Sequence, residues 1–151
     1  MTNEELKTNI TALLPSATFE EGGEWLTVLM DPKEWKPFAQ QIRFDDALQC
    51  NYLFCLTCID WKTHLTMVYH LSSTAFRHNL VVKAKMDRSI PVIETVCDIW
   101  RTAEFHEREV FELFGVTFLN HPDLRKLILT DDFEGFPLRK DFEDTVNMIR
   151  L

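Results

Sequence analysis

The spacing of apolar residues near the start of the chain predicts a helix followed by a strand. Four apolar side chains repeat at i, i+4, i+7 and i+8 and share one helical face: Leu6, Ile10, Leu13 and Leu14. Residues 2–5 have the form of a capping box, and Pro15 predicts the end of this helix. After the turn at Gly22-Gly23, residues 24–30 are apolar on both faces, which predicts a strand.

A second helix and three strands follow from the same kind of pattern. Asp31-Pro32 is an N-cap residue followed by proline at the first helical position. One apolar face then repeats at i, i+3, i+4 and i+7: Trp35, Phe38, Ala39 and Ile42. Strand patterns occupy residues 52–61, 64–71 and 79–86, and Lys62-Thr63 can turn the first into the second. These segments predict a sheet with the second helix packed on it.

The pattern over residues 91–114 is helical but interrupted near Trp100. It predicts a short helix, a break around Arg101-Thr102, and a longer helix from Ala103 that ends before Gly115. The whole order, α-β-α-β-β-β-α-α and then an irregular tail, predicts an α+β fold. Helices pack against a mostly antiparallel or mixed sheet of about four to five strands. We expect one globular domain over residues 1–130 and a C-terminal, partner-binding tail over residues 131–151.

Charge and hydropathy argue against nucleic acid and lipid partners, against a membrane span and against a targeting signal. The 151 residues carry a net charge of −8, which disfavours nucleic acid and direct adhesion to anionic lipid. No apolar run approaches the roughly 20 residues that span a bilayer. Residues 1–9 lack the basic and apolar regions of a secretory signal, and they resemble no mitochondrial presequence. We therefore expect a soluble chain that stays where it is made.

Four cysteines raise the question of a metal cluster. Cys50, Cys55 and Cys58 with the distant Cys97 have the spacing of a plant-type two-iron ferredoxin. The intervening residues predict a strand, however, and on a strand Cys55 and Cys58 face opposite sides. Small, buried, reduced side chains are the favoured interpretation. The five histidines form no His-Glu-x-x-His motif, so no metal site is predicted.

The long helix carries charges at four-residue spacing. Glu104, Arg108 and Glu112 can form a ladder on one face. This ladder has two interpretations: a solvated face or a catalytic carboxylate pair. The catalytic interpretation is disfavoured because no nucleophile, glycine-rich loop or metal-binding set accompanies it. With only 4 glycines in the chain, a phosphate-cradling loop is nearly excluded.

Aromatic residues recur in the irregular tail. Phe133, Phe136 and Phe142 lie among prolines and charges, where little periodicity would bury them. Such a segment is typical of an interface anchor, and the alternative is a tail that folds back on its own sheet.

Residues 107–142 resemble one protein family almost residue for residue. The first part of the motif runs Glu107, Arg108, Glu109, Glu112, Leu113, Phe114, His121, Arg125, Leu127 and Ile128. The closing part is Pro137-Leu138-Arg139-Lys140-Asp141-Phe142. The family is the thirty-kilodalton, or C, subunit of the proton-pumping NADH:quinone oxidoreductase, respiratory complex I. More loosely, the resemblance covers about residues 25–142.

The resemblance implies a non-catalytic structural subunit that supports electron transfer from NADH to quinone. It implies a chain that binds no flavin, iron–sulfur cluster or other cofactor and is inactive in isolation. The implied partners are the hydrogenase-like forty-nine-kilodalton subunit and neighbouring quinone-module subunits. The implied location is the cytoplasmic side of a bacterial membrane, reached only through the complex. The implied interface is the motif itself: Glu107, Arg108, Glu109, Glu112, His121, Pro122, Asp123, Arg125, Pro137, Arg139, Lys140 and Asp141. The resemblance also implies a third interpretation of the helix charges, in which they brace the loop at His121-Pro122-Asp123 and face a partner subunit.

Two alternatives stay open. The same module occurs in membrane-bound hydrogenase- and ferredoxin-linked complexes, which would change the electron donor. A free-standing small-molecule enzyme would instead use Glu107, Glu109 and His121 as acid–base groups.

Overall fold

The computed structural model describes residues 1–144, which form three helices and seven strands. The helices are α1 (Asn3–Leu13), α2 (Pro32–Phe44) and α3 (Ala103–Phe114). The strands are β1 (Thr18–Glu20), β2 (Leu26–Met30), β3 (Tyr52–Asp60), β4 (His64–Ser72), β5 (Asn79–Asp87), β6 (Val92–Glu94) and β7 (Thr117–Leu119). The predicted α+β class is confirmed.

The first two helices begin as the sequence predicts. The Thr2 hydroxyl accepts the Glu5 N–H, and the Glu5 carboxylate accepts the Thr2 N–H in return, which completes the capping box. Asp31 caps α2 by accepting the Lys33 N–H at 2.8 Å. The apolar face predicted for α2 is fully buried against the sheet: Trp35, Phe38, Ala39 and Ile42.

The main sheet has five strands in the order β1-β2-β5-β4-β3. Only β2 and β5 run parallel, so the sheet is mixed. The hairpin between β3 and β4 turns at Lys62, which adopts a positive φ of 69°. As predicted, Cys55 and Cys58 face opposite sides of β3, with Cys58 buried in the core and Cys55 only partly buried.

A second, smaller sheet corrects one prediction. Residues 91–100, predicted as a short helix, instead contain β6, which pairs in parallel with β7, followed by turns. The local spacing is helical, but Ile93 gains a buried position (2% exposed) and a ladder partner that comes from beyond α3. A non-local pairing of this kind overrides local periodicity. The edge strand β1 is a further element that the sequence pattern did not predict.

Residues 120–144 run over the surface without helix or strand. The predicted partner-binding tail begins in this stretch, and its last part, residues 145–151, lies outside the described residues. Among the residues that the structure describes, none of the helices has the length and apolar character needed to cross a bilayer. The long helix α3 ends where predicted, at Gly115, whose φ of 79° is left-handed.

Candidate functional site

Helix α3 carries three charged side chains that are buried rather than solvated. The exposed fractions are 0% for Glu107, 6% for Arg108 and 2% for Glu112. Burying a charge is costly unless hydrogen bonds or an opposite charge compensate it. The hydrogen-bond partners of these side chains therefore indicate which neighbouring segments helix α3 fixes in place.

Arg108 binds the loop that follows β7. Its Nε donates to the carbonyl of Arg125 at 3.0 Å, and one terminal nitrogen donates to the carbonyl of Lys126 at 3.1 Å. The planar guanidinium suits this because it presents several N–H groups in a fixed fork. The predicted ladder with Glu104 and Glu112 is not formed, since Arg108 bonds to loop carbonyls and not to these carboxylates.

Glu112 binds the next residues of the same loop. Its carboxylate accepts the backbone N–H groups of Leu127 at 2.9 Å, Ile128 at 2.9 Å and Leu129 at 3.1 Å. Three N–H groups converging on one carboxylate form an anion-binding nest with the anion supplied by the protein. Together, Arg108 and Glu112 fix the backbone of residues 125–129, hereafter the braced loop.

In the braced loop the polar backbone groups face inward and the apolar side chains face outward, which is the reverse of a protein core. The polar backbone groups of the loop face the buried charges of α3, while Leu127 is 41% and Ile128 is 67% exposed. The interpretation of the α3 charges as a brace is therefore the one that the structure supports. The braced residues, however, are 125–129 and not the predicted His121-Pro122-Asp123.

His121 is held separately, by backbone groups on either side of its ring. The Asp123 N–H donates to Nδ1 at 3.0 Å, so Nδ1 carries a lone pair and the ring proton lies on Nε2. Nε2 lies 3.1 Å from the carbonyl of Glu104, to which it donates. Asp123 forms an exposed ion pair with Arg125 at 2.9 Å, and Pro122 is exposed.

Glu107 points to the other side of α3, toward the turn after β6. Its carboxylate accepts the Thr95 hydroxyl and the Val96 N–H, the latter at 2.9 Å. Burial raises the pKa of Glu107 to about 7, and these two hydrogen bonds lower it only in part. The role of Glu107 in this structure is to attach the turn to the helix.

One group of potential metal ligands was missed by the sequence patterns. Cys97 Sγ, a Glu107 oxygen and a His121 ring nitrogen all lie within 4.8 Å of one another. A metal at Nε2 of His121 would require the proton to move to Nδ1, which already accepts the Asp123 N–H. Metal binding would thus cost the hydrogen bonds at both ring nitrogens, so this cluster is a poor metal site.

The closing part of the motif packs on the end of α3. Arg139 Nε donates to the Phe114 carbonyl at 2.6 Å, and the Leu138 N–H donates to the Leu113 carbonyl at 3.1 Å. The Phe136 ring lies so close that a Cβ at Gly115 would approach it to 2.7 Å. Gly115 is thus required both for its backbone conformation and for its missing side chain.

Asp60 anchors the same segment to the main sheet. It is 3% exposed and accepts two hydrogen bonds from Arg88, at 2.9 and 2.8 Å, and the Lys140 N–H at 2.8 Å. Arg88 also bonds Asp141, whose side chain stays mostly exposed. Hydrogen bonding to Arg88 holds the pKa of Asp60 well below its usual range. The sequence signal for Asp60 is an acid at the end of an apolar strand, within the looser part of the family resemblance.

The predicted site residues thus fall into groups. Arg108 and Glu112 meet at the braced loop with Arg125. Glu107 and His121 approach to 3.8 Å but mainly serve other partners. Pro137, Arg139, Lys140 and Asp141 belong to the segment on the end of α3 and beside Asp60. Glu109 is half-buried and takes part in none of these contacts.

Known proteins are similar to this chain in sequence. The family model described as "Respiratory-chain NADH dehydrogenase, 30 Kd subunit" matches residues 28–146. The C subunit of NADH-quinone oxidoreductase from Chlorobium phaeobacteroides is 38% identical over 118 residues, which are 76% of this chain and 71% of that protein. The C/D subunit of the same enzyme from Phocaeicola vulgatus is 40% identical over 114 residues, 74% of this chain. The chain spans only 22% of that relative, and 46% of the C subunit from Chloroherpeton thalassium.

Solved structures show the same architecture. A trypsin-resistant fragment of Nqo5 superposes with a TM-score of 0.68 and 27% identity, covering 80% of this chain and 98% of the fragment. A chain of the membrane-bound sulfane sulfur reductase, an archaeal respiratory membrane complex, superposes with a TM-score of 0.79 and 26% identity. That match covers 93% of this chain and 85% of the archaeal one. The resemblance seen in the motif is confirmed, and the chain belongs to the family of the thirty-kilodalton, or C, subunit of respiratory-chain NADH dehydrogenase.

Proposed function

We propose that this chain is a non-catalytic structural subunit in the quinone module of a proton-pumping NADH:quinone oxidoreductase. The observation that carries the proposal is the braced loop. Two buried charges of α3 hold its backbone, and its apolar side chains Leu127 and Ile128 are presented to the outside. A fixed, apolar, outward-facing loop is suited to contact with another protein.

The apolar surface continues onto the closing part of the motif. Phe136 is 40% and Leu138 is 52% exposed, although hydrogen bonds to the end of α3 fix the backbone here as well. Arg139 lies over the Phe136 ring at 5.0 Å, which adds a charge beside the apolar area. We propose that the braced loop and this segment form one partner-binding surface.

For the partner we propose the hydrogenase-like forty-nine-kilodalton subunit, with neighbouring quinone-module subunits around it. The name of the Phocaeicola vulgatus relative, a C/D subunit, supports a pairing of this chain with a second subunit of the same enzyme. Through these partners the chain would lie in the peripheral arm, on the cytoplasmic side of a bacterial membrane.

We further propose that the chain binds no cofactor and is inactive in isolation. The ligand cluster at Cys97 is opposed by the tautomer that the hydrogen bonds of His121 select. Glu107, the candidate acid–base group, is fully buried and bonded to backbone and Thr95. These contacts favour a supporting role over the alternative of a free-standing enzyme.

A second candidate function has its own observation. The match to the sulfane sulfur reductase chain covers most of both chains. It supports a function in which this chain is the same module of a related membrane complex with a different electron donor. The subunits that co-purify with the native complex distinguish the two candidates: an NADH-oxidising module supports the first, and its replacement by another donor module supports the second.

The test of the interface is a charge placed on the braced loop. We expect Ile128→Asp to reduce co-purification of the partner subunits while the isolated chain melts normally, since Ile128 is 67% exposed. Phe44→Asp is the matched control, because Phe44 is 72% exposed but lies at the end of α2. Normal assembly with Ile128→Asp, or equal loss with both variants, would refute the proposed surface.

A further inference from the structure

The small sheet consists of two strands, and the outer edge of β6 has no strand partner within residues 1–144. In the parallel pair β6–β7, the Thr117 N–H donates to the Pro91 carbonyl at 2.9 Å and the Thr95 N–H to the Leu119 carbonyl at 3.0 Å. Alternate residues of a strand direct their backbone groups to opposite edges. Val92 and Glu94 therefore direct their N–H and C=O groups away from β7, to an edge on which no strand pairs within residues 1–144.

A groove of about 600 Å³ lies beside β6. All three residues of β6 line it, together with residues of the first turns of α2 that include Pro32 and Pro37. Ile90, 71% exposed, and Leu119 of β7, 46% exposed, add apolar surface to the lining. The groove thus combines an apolar lining with backbone donors and acceptors that no strand within residues 1–144 pairs.

These two features specify the shape of an occupant. Free backbone groups along a strand edge are satisfied by the backbone of another extended segment, and the apolar lining then receives alternate side chains of that segment. A compact ligand or a helix would leave the N–H and C=O groups of Val92 and Glu94 unpaired. The chemistry therefore selects an extended peptide.

The charged residues around the groove indicate what kind of side chain the bound peptide would carry. Lys36 at the groove is already engaged with Asp98 and the Thr95 carbonyl, and the Glu94 carboxylate accepts from Asn120. Lys33 also lines the groove, is exposed, and takes part in none of the ion pairs formed within the described part of the chain. An acidic residue of the occupant would pair with it.

We propose that this groove receives an extended segment of a partner subunit, which adds as a third strand at β6 and places an acidic residue near Lys33. The proposal rests on the proposed function only in taking the partner from the same complex. A second copy of this chain is a poor occupant for two reasons. Helix α2 walls the groove and would meet the α2 of the copy, and two chains of net charge −8 repel each other.

Amide hydrogen exchange at single-residue resolution, on the free chain and on the native complex, tests the proposal. In the free chain we expect rapid exchange at Val92 and Glu94 and slow exchange at Ile93, whose N–H faces β7. In the complex we expect at least about a hundredfold slower exchange at Val92 and Glu94, with Ile93 unchanged as the internal control. Equal exchange at Val92 and Glu94 in both states would overturn the proposal.

A pair of variants gives a second readout. Val92→Pro removes one N–H at the free edge and spares the β6–β7 ladder, whereas Val92→Ala trims the side chain and keeps the N–H. We expect Val92→Pro to weaken retention of the partner about tenfold more than Val92→Ala, as the loss of one hydrogen bond predicts. Melting of both isolated variants within a few degrees of the parent chain verifies that they fold.

The remaining outcomes separate this proposal from the proposed function. A chain that co-purifies with quinone-module subunits but shows no slowing at Val92 and Glu94 refutes the groove alone. A chain that co-purifies with no such subunits refutes the proposed function. A free chain that dimerises and protects Val92 and Glu94 by itself assigns the edge to a second copy and overturns the partner-subunit proposal.

Discussion

The Glu112 carboxylate accepts the backbone N–H of Ile128 at 2.9 Å, while the Ile128 side chain stays 67% exposed. A buried anion on a helix and an exposed aliphatic side chain on a loop are thereby parts of one arrangement. The anion satisfies the loop backbone, so the loop keeps its shape without burying its own apolar side chains. The following substitutions test this arrangement and the other buried charges.

Replacing Glu112 should destabilise the fold. Glu112→Ala leaves three backbone N–H groups without their acceptor, and we expect a loss of about 3 kcal/mol in the free energy of unfolding. Glu112→Gln keeps one side-chain oxygen and should lose about half as much. Urea denaturation measures both, with Glu109→Gln as the control on the same helix. A loss for Glu112→Ala no larger than for the control would contradict the brace.

Replacing Arg108 should also act on structure and assembly rather than on chemistry. Arg108→Ala frees the carbonyls of Arg125 and Lys126, with an expected cost of about 2–3 kcal/mol, and Arg108→Lys should recover only part of it because an ammonium lacks the fork geometry. Thermal melts and an assembly assay provide the measurement. Glu104→Gln distinguishes the arrangements, since a ladder would make it costly and the observed bonds make it nearly neutral. Normal melting and assembly with slowed turnover would show that Arg108 has a chemical role instead.

The buried Glu107 should make stability depend on pH. Its pKa is raised from an ordinary 4.5 to about 7 in the folded state, so between these values the folded chain binds more protons than the unfolded chain. Its contribution is fully present below about pH 4.5 and is lost as the pH rises through about 7, by about 3 kcal/mol in total. Glu107→Gln should remove this loss. Denaturation at pH 5 and pH 8 compares the two chains, and an identical pH dependence would disprove the assignment.

Asp60 should control how firmly the closing motif is attached. Asp60→Asn weakens the bonds to Arg88 and to the Lys140 N–H, and we expect about 2 kcal/mol of lost stability with faster amide exchange at Lys140. The lowered pKa of Asp60 also sets the direction in which stability depends on pH. The contribution of Asp60 to the free energy of unfolding is present above its ordinary pKa of 3.8 and is lost as the pH falls below that value. Asp141→Asn is the control, because Asp141 contacts Arg88 from an exposed position, and its effect should be much smaller. Equal effects of the two variants would argue against the anchor.

The segment from Phe133 to Phe142 should be protected unevenly in the free chain. The N–H groups of Leu138 and Lys140 donate to the domain, so we expect slow exchange there, but rapid exchange at Glu134 and Gly135 until the complex assembles. Amide exchange on the free chain and on the complex measures this difference. Strong and equal protection of the whole segment in both states would assign it to the domain's own core.

Local spacing determined the elements whose partners lie nearby in the sequence. The capping box of α1, the Asp31-Pro32 start of α2, the β3–β4 hairpin and the Gly115 end of α3 depend on residues within a few positions of each other. Their physical causes are backbone capping, fixed dihedral angles and one-sided burial, all of which can be read from short windows.

The motif from Glu107 to Phe142 was also recognisable from the sequence, because its spacing is characteristic of the family. The role of each charged residue within the motif could not be recognised from the sequence. Arg108 and Glu112 lie on one face of α3, and the spacing that allows a solvated ladder equally allows a brace. Only the tertiary structure brings the braced loop, more than ten residues away, within hydrogen-bond distance of both.

Tertiary structure likewise decided β6, Asp60 and the cluster at His121. β6 becomes a strand because β7 returns to it from beyond α3, and Asp60 becomes an anchor because Lys140 and Arg88 arrive from distant parts of the chain. Sequence by itself determined the composition, the local elements and the family of this protein. The burial of its charges required the folded chain, because the free energy of a buried charge depends on the groups that surround it and not on its neighbours in sequence.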